Sequence, residues 1–183
     1  MLEMNMEDEI ICIQEPWWGR IRMTQADGEK WGVDVRGGVA HGKWYGEYPY
    51  TGADKCAKVM TYVRKHDRKN PHRPQRLQVV TQLDLAAHPC LLITDVCIGR
   101  ECWRVINFYN DVEDPSMMKA LCKLQLGDEI HTPLVGDFNT HSRTSHSCTW
   151  SPLGLTPSTW ANTLEEWAAV NTLELLTIPG IPT

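Results

Sequence analysis

Three apolar segments in the middle of the chain, Leu77 to Leu83, Leu91 to Cys97 and Cys102 to Phe108, are rich in side chains branched at Cβ and too short for globular helices. Segments of this kind read as strands. Three more fit the same pattern: Glu9 to Gln14, stopped by Glu15-Pro16; Lys58 to Val63; and Thr132 to Val135, which runs into Gly136-Asp137-Phe138-Asn139. Residues 17 to 55 are rich in Gly, Trp and Tyr and read as loop, with one short strand near Trp31 to Val35. Helical signals come later. Asp114-Pro115-Ser116 predicts a helix start, with Asp as N-cap and Pro at the first helical position. Met118, Leu121, Leu124 and Gln125 continue at helical spacing, and Gly127 marks the end. A second helix is expected from about Thr159 to Asn171, with Leu164, Trp167 and Ala168 on one face. Strands in the middle and helices afterwards give an α+β or layered α/β class.

The 183 residues suit one domain, residues 1–183, and are enough to bury a core. At 42% apolar and 22% charged the chain is neither disordered nor fibrous in composition. No apolar run approaches the roughly 18 residues of a membrane-spanning helix, and the acidic stretch Met1 to Glu9 is not a secretory signal. The seven cysteines are odd in number and form no C-x-x-C pair. They read as reduced thiols of an intracellular protein, cytoplasmic or nuclear and not secreted. The net charge of −5 excludes a protein that holds nucleic acid by counterion release alone. Phosphate recognition would have to be local or use a metal. Residues 64 to 76 carry six Arg or Lys against one Asp, and serve equally as a grip on a nucleic-acid backbone or as a solvated loop. Trp17-Trp18 offers a base-stacking platform or simply core.

Three segments could carry chemistry. In Leu134 to Asn139 a strand ends and an acid and an amide emerge two residues apart. Alternation along an extended backbone puts Asp137 and Asn139 on one side. That pair could align a water or hold a hard metal, and equally could form an Asx-type turn. In Ile10 to Pro16 a carboxylate, Glu15, again follows an apolar strand, the placement of a Mg²⁺ ligand and also of many solvated glutamates. In Val105 to Asp111 a strand ends in Tyr109 and Asn110, both able to hydrogen-bond a phosphate oxygen.

Taken in order, Ile13-Gln14-Glu15-Pro16, Ile106-Asn107-Phe108-Tyr109 and Gly136 to Ser142, with Trp150 beyond, resemble the motifs of the endonuclease/exonuclease/phosphatase family. The match is closest to the endonuclease domains of non-LTR retrotransposons. The resemblance implies a DNase I-like fold, two packed β-sheets flanked by helices with the site at the mouth between the sheets. It implies Mg²⁺-dependent (or Mn²⁺-dependent) phosphodiester hydrolysis that nicks DNA, with no membrane partner. By that resemblance Glu15 holds the metal, Asp137 orients or deprotonates the attacking water, Asn139 supports Asp137 and the phosphate, and Tyr109 donates to a phosphate oxygen. Asn110 and His141 are further substrate contacts. The family also has an Asn-bearing strand and a helix before the Q-E strand, and two late strands that include a Ser-Asp-His triplet. None of these is found in this sequence. The expectation is therefore an incomplete domain, truncated at both ends, and weak or absent nicking. The alternatives are a catalytically dead retroelement remnant and a phosphate-ester- or protein-binding module on the same scaffold.

Overall fold

The computed structural model describes residues 9–23, 33–49, 56–65, 77–85, 88–111, 113–127, 130–139, 159–174 and 176. Two compact units can be distinguished, Met1–Tyr109 with Ile130–Asp137, and Asn110–Glu129 with Phe138–Thr183. In chain order the first contains β1 (Ile10–Gln14), β2 (Gly19–Met23), β3 (Val33–Gly37), β4 (Trp44–Glu47), β5 (Val59–Arg64), β6 (Leu77–Thr81), β7 (Leu91–Ile98), β8 (Glu101–Tyr109) and β9 (Leu134–Asp137). The second contains α1 (Ser116–Leu121) and α2 (Thr159–Val170).

Two sheets make the body of the first unit, one in the order β1-β5-β4 and one in the order β6-β7-β8-β9, with β2 and β3 pairing as a separate ribbon. All pairings are antiparallel except β8 with β9. A parallel pair cannot be joined by a tight turn, and the chain between β8 and β9 contains α1.

Side-chain alternation divides each sheet into two faces. In the three-stranded sheet, Ile11 lies opposite Tyr62 and Ile13 opposite Met60, and these four pack with Trp44 as one apolar cluster. The Arg64 guanidinium lies 4.9 Å from the Trp44 ring, and the Tyr62 hydroxyl donates to the Val39 carbonyl. The opposite face carries Cys12, Gln14, Val59, Thr61 and Glu47, and it meets the four-stranded sheet. Polar ties cross there as well. The Thr81 hydroxyl donates to Glu47 Oε2 at 2.7 Å, and Gln14 Nε2 donates to Asn107 Oδ1 at 2.8 Å. The apolar filling is supplied by Val59, Val63, Leu92, Val96 and Val105, all buried. The two packed sheets of the sequence expectation are thus present.

In the second unit Leu164 and Trp167 of the expected α2 face are buried, together with Ala161, whereas Ala168 is only partly buried. Helix α1 is shorter than its spacing predicts and ends at Leu121. The backbone beyond it is claimed elsewhere: Trp167 Nε1 donates to the Leu124 carbonyl, and the Leu126 N–H donates to Asn171 Oδ1. The Leu126 N–H, once bound to Asn171, is not available to close a helical turn on Cys122.

Three further expectations are corrected. The Gly-rich region read as loop contains β2 and β4, and its one expected strand lies two residues later, at Val33–Gly37. The N-cap of α1 is Pro115 with no side-chain cap bond, while Asp114 Oδ1 accepts the Ser116 N–H in the turn before it. Cys97 and Cys102 are not free thiols but a disulfide. The reason is the turn. Ile98 and Glu101 pair across two residues, Gly99 has a left-handed φ of 66°, and the next pair outward is Cys97 with Cys102. A two-residue hairpin loop with glycine first is a favoured geometry, and it sets these two side chains directly across the ladder.

Cys56 and Cys12 stand outside any disulfide, Cys56 exposed and Cys12 partly buried. Burial pushes the Cys12 thiol up to about 11, against a smaller opposing contribution from its hydrogen bond with Thr61. Thiolate is the reactive form, so that rise cuts its fraction about 100-fold at mildly alkaline pH. Alkylation of the folded protein at pH 8, followed by peptide mapping, is expected to modify Cys56 first and Cys12 at least tenfold more slowly. Equal rates would refute the burial of Cys12.

Candidate active site

The Q-E strand ends in a strained turn. Glu15 has a φ of 49°, a left-handed conformation that costs a residue with a side chain about 1–2 kcal/mol. Its N–H donates to the Lys58 carbonyl at 2.8 Å, which anchors the turn to the start of β5. Its carboxylate is exposed, and Oε1 lies 3.5 Å from Lys58 Nζ. The same ammonium lies 5.8 Å from the centre of the Tyr109 ring, within range of a cation–π contact. One lysine therefore stands between two of the residues singled out in the sequence.

Tyr109 and Asp137 are brought together by the parallel pairing of β8 and β9, in which they are the last register partners, one on each strand. The preceding pair is Phe108 with Gly136. A Cβ built on Gly136 would lie 2.0 Å from the Phe108 carbonyl oxygen, and Gly136 has a φ of 156°. Only glycine allows the two backbones to come this close. Asp137 is exposed at the strand tip.

Asn107 positions this end of the first unit. It is fully buried, accepts from Gln14 Nε2 at 2.8 Å, and donates to the Met60 carbonyl at 3.0 Å and to Thr61 Oγ1 at 3.3 Å. One side chain thus ties β8 to both β1 and β5, one residue from Glu15 on one side and two from Tyr109 on the other. Sequence reading passed over Asn107 as a ligand or a brace, although a lone amide inside the apolar run Val105 to Phe108 is a signal of buried hydrogen bonding. It also passed over Lys58, a cation directly before a strand that is buried throughout.

In the second unit the chain beyond β9 turns at Asn139, whose φ of 43° is one that Asn tolerates. Asn139 Nδ2 donates to the Asn110 carbonyl at 2.9 Å, and Asn110 Nδ2 donates to the Phe138 carbonyl at 2.7 Å. Asn110 is 4% exposed, and this bond takes up one of its two amide hydrogens. His141 lies outside the described residues, as do residues 66–76 of the basic stretch and Trp150. Trp17 is 60% exposed, whereas Trp18 packs edge-on against Tyr48 with ring centres 5.1 Å apart.

Among the described residues no three His, Cys, Asp or Glu side chains converge. Mg²⁺ is typically held by one or two carboxylates and keeps waters that phosphate can share; Glu15 is an exposed carboxylate with an ammonium 3.5 Å away. Among the described residues no helix is long and apolar enough to cross a membrane.

No protein-family model matches the sequence, and no curated protein matches it. A solved structure does match the fold: the endonuclease domain of TRAS1, a telomere-specific non-LTR retrotransposon, with a TM-score of 0.57 at 16% identity. The alignment covers 96% of this chain and 64% of that domain, so the chain spans about two thirds of the domain it resembles. This likeness shows the fold of the chain, a DNase I-like arrangement of two packed sheets.

Proposed function

We propose that the chain is a metal-dependent phosphodiesterase of endonuclease type that acts on DNA. The observation that carries this reading is the meeting of acid, phenol and ammonium groups at one end of the first unit. Lys58 links Glu15 with Tyr109, and Tyr109 is paired in register with Asp137. A nuclease needs an oriented water, a neutralised phosphate and a donor to the oxygens that gain charge. Asp137, exposed at its strand tip, is the base that orients and deprotonates the water. The Tyr109 hydroxyl donates to a phosphate oxygen. Asn139 supports the carboxylate and the phosphate, with His141 as a further substrate contact. Asn110 braces the turn after Asp137, a role its bond to Phe138 favours over direct contact with substrate. Glu15 would hold Mg²⁺, which when bound neutralises charge on the phosphoryl group.

A second reading, a nucleic-acid-binding module without catalysis, is favoured by the Lys58–Glu15 pair, in which the carboxylate already has a cation.

Nicking of supercoiled plasmid tests the proposal. The expected result is slow conversion to open circles in Mg²⁺, abolished by EDTA and by Asp137→Ala. Duplex binding with no nicking in Mg²⁺ or Mn²⁺ would overturn the enzyme reading in favour of the binding module. Nicking that persists in Asp137→Ala would refute the role given to that residue.

A further inference from the structure

We propose that Lys58 is a phosphate-binding residue. Its ammonium takes a backbone phosphate oxygen of bound nucleic acid and rests on Glu15 when none is present. The inference builds on the nucleic-acid reading above and adds a recognition group that none of the three motifs contains.

The backbone of Lys58 is fixed from both sides. Its N–H donates to the Pro89 carbonyl at 2.8 Å, and its carbonyl accepts the Glu15 N–H at 2.8 Å. Only the side chain is free to swing, and its swing is centred on the ends of β1 and β8. The pair it forms with Glu15 is loose. At 3.5 Å the contact is longer than the 2.7–2.9 Å of a charge-assisted hydrogen bond. Both partners are substantially exposed, at 42% and 58%. Ion pairs of this kind contribute little to stability. Breaking the pair is therefore cheap, and a phosphate oxygen is a competitive acceptor for a compact ammonium. The Tyr109 ring beside the ammonium brings a second phosphate donor, its hydroxyl, to the same place. In a chain of net charge −5 such a local cation is what phosphate recognition requires.

Lys58 and a divalent ion also compete for one carboxylate. Removing the lysine should therefore move two affinities in opposite directions: weaker for the phosphate backbone, stronger for the metal. A purely structural lysine would produce no such split.

The test uses the 183-residue protein with Lys58→Met, Lys58→Arg and Glu15→Gln variants. Binding of a short labelled DNA duplex is followed by anisotropy in EDTA across a salt titration, and Mn²⁺ binding is followed by calorimetry. Lys58→Met is expected to lower duplex affinity about 3–10-fold at low salt and to reduce the magnitude of the salt slope by about 0.9, the loss of one phosphate contact. Lys58→Arg, which keeps the charge, should retain both. Mn²⁺ affinity should rise several-fold in Lys58→Met and fall in Glu15→Gln. An unchanged affinity and slope in Lys58→Met, beside a wild type that binds, would overturn the inference and leave the proposed function standing. A wild type that binds no duplex would overturn both. A variant with the wild-type melting midpoint and a reduced slope would support the inference, since misfolding could not then account for the loss.

Discussion

Gly136→Ala is expected to destabilise the protein by about 2–5 kcal/mol, adding backbone strain to overpacking. The new Cβ would sit 2.0 Å from the Phe108 carbonyl oxygen and 2.9 Å from its carbon, both backbone atoms that cannot rotate away. Relief requires β9 to move off β8. Because the next register pair is Tyr109 with Asp137, that movement would also separate these two residues. Gly99→Ala supplies the internal comparison. Gly99 has a φ of 66° but open space around its Cα, so its alanine isolates the conformational cost, about 1–2 kcal/mol. Urea melts of the two variants give the clash by difference. A Gly136→Ala protein within 0.5 kcal/mol of wild type would show that β8 and β9 do not approach this closely.

Asn107→Leu is expected to cost about 2–4 kcal/mol even though it nearly conserves volume. The change strands the Gln14 amide between the sheets, at about 1–3 kcal/mol for a buried group, and removes the bonds that Asn107 donates to the Met60 carbonyl and Thr61 Oγ1. A double-mutant cycle with Gln14→Leu separates this from packing, because removing both partners of a buried bond is far less costly than removing one. The double variant should recover about 1 kcal/mol relative to the sum of the singles. Strict additivity would mean that the Gln14–Asn107 bond contributes nothing.

The strands legible in the sequence are those whose identity is local. Ile10–Gln14, Leu91–Ile98 and Glu101–Tyr109 carry enough β-branched and apolar side chains to announce themselves within a residue or two of their ends. Trp44–Glu47 and Gly19–Met23 do not. Each contains a glycine and few β-branched residues, and it is extended because a partner strand pairs with it. Helix α1 failed the other way, since its spacing continued past Leu121 while the backbone at Leu124 and Leu126 was taken by Trp167 and Asn171. The Cys97–Cys102 bond follows from a two-residue turn that the spacing of five hinted at only through Gly99. At the candidate site the acids were readable because each closes an apolar strand. Lys58 was not, because its partners Glu15 and Tyr109 reach it only through the fold.

The wiring of the first unit also governs when its groups meet. Gln14 and Asn107 are 93 residues apart in the chain, and Glu15, Lys58, Tyr109 and Asp137 come from the ends of four different strands. Every link among them is a distant closure, and one depends on a parallel pair that must wait for its crossover. Chains dominated by such pairings fold in milliseconds to seconds rather than microseconds, because loop entropy is spent before any contact repays it. The grouping is therefore a late product of folding. A chain in which any one of these closures is still open lacks it, and a nascent or partly unfolded copy presents only scattered charges to nucleic acid.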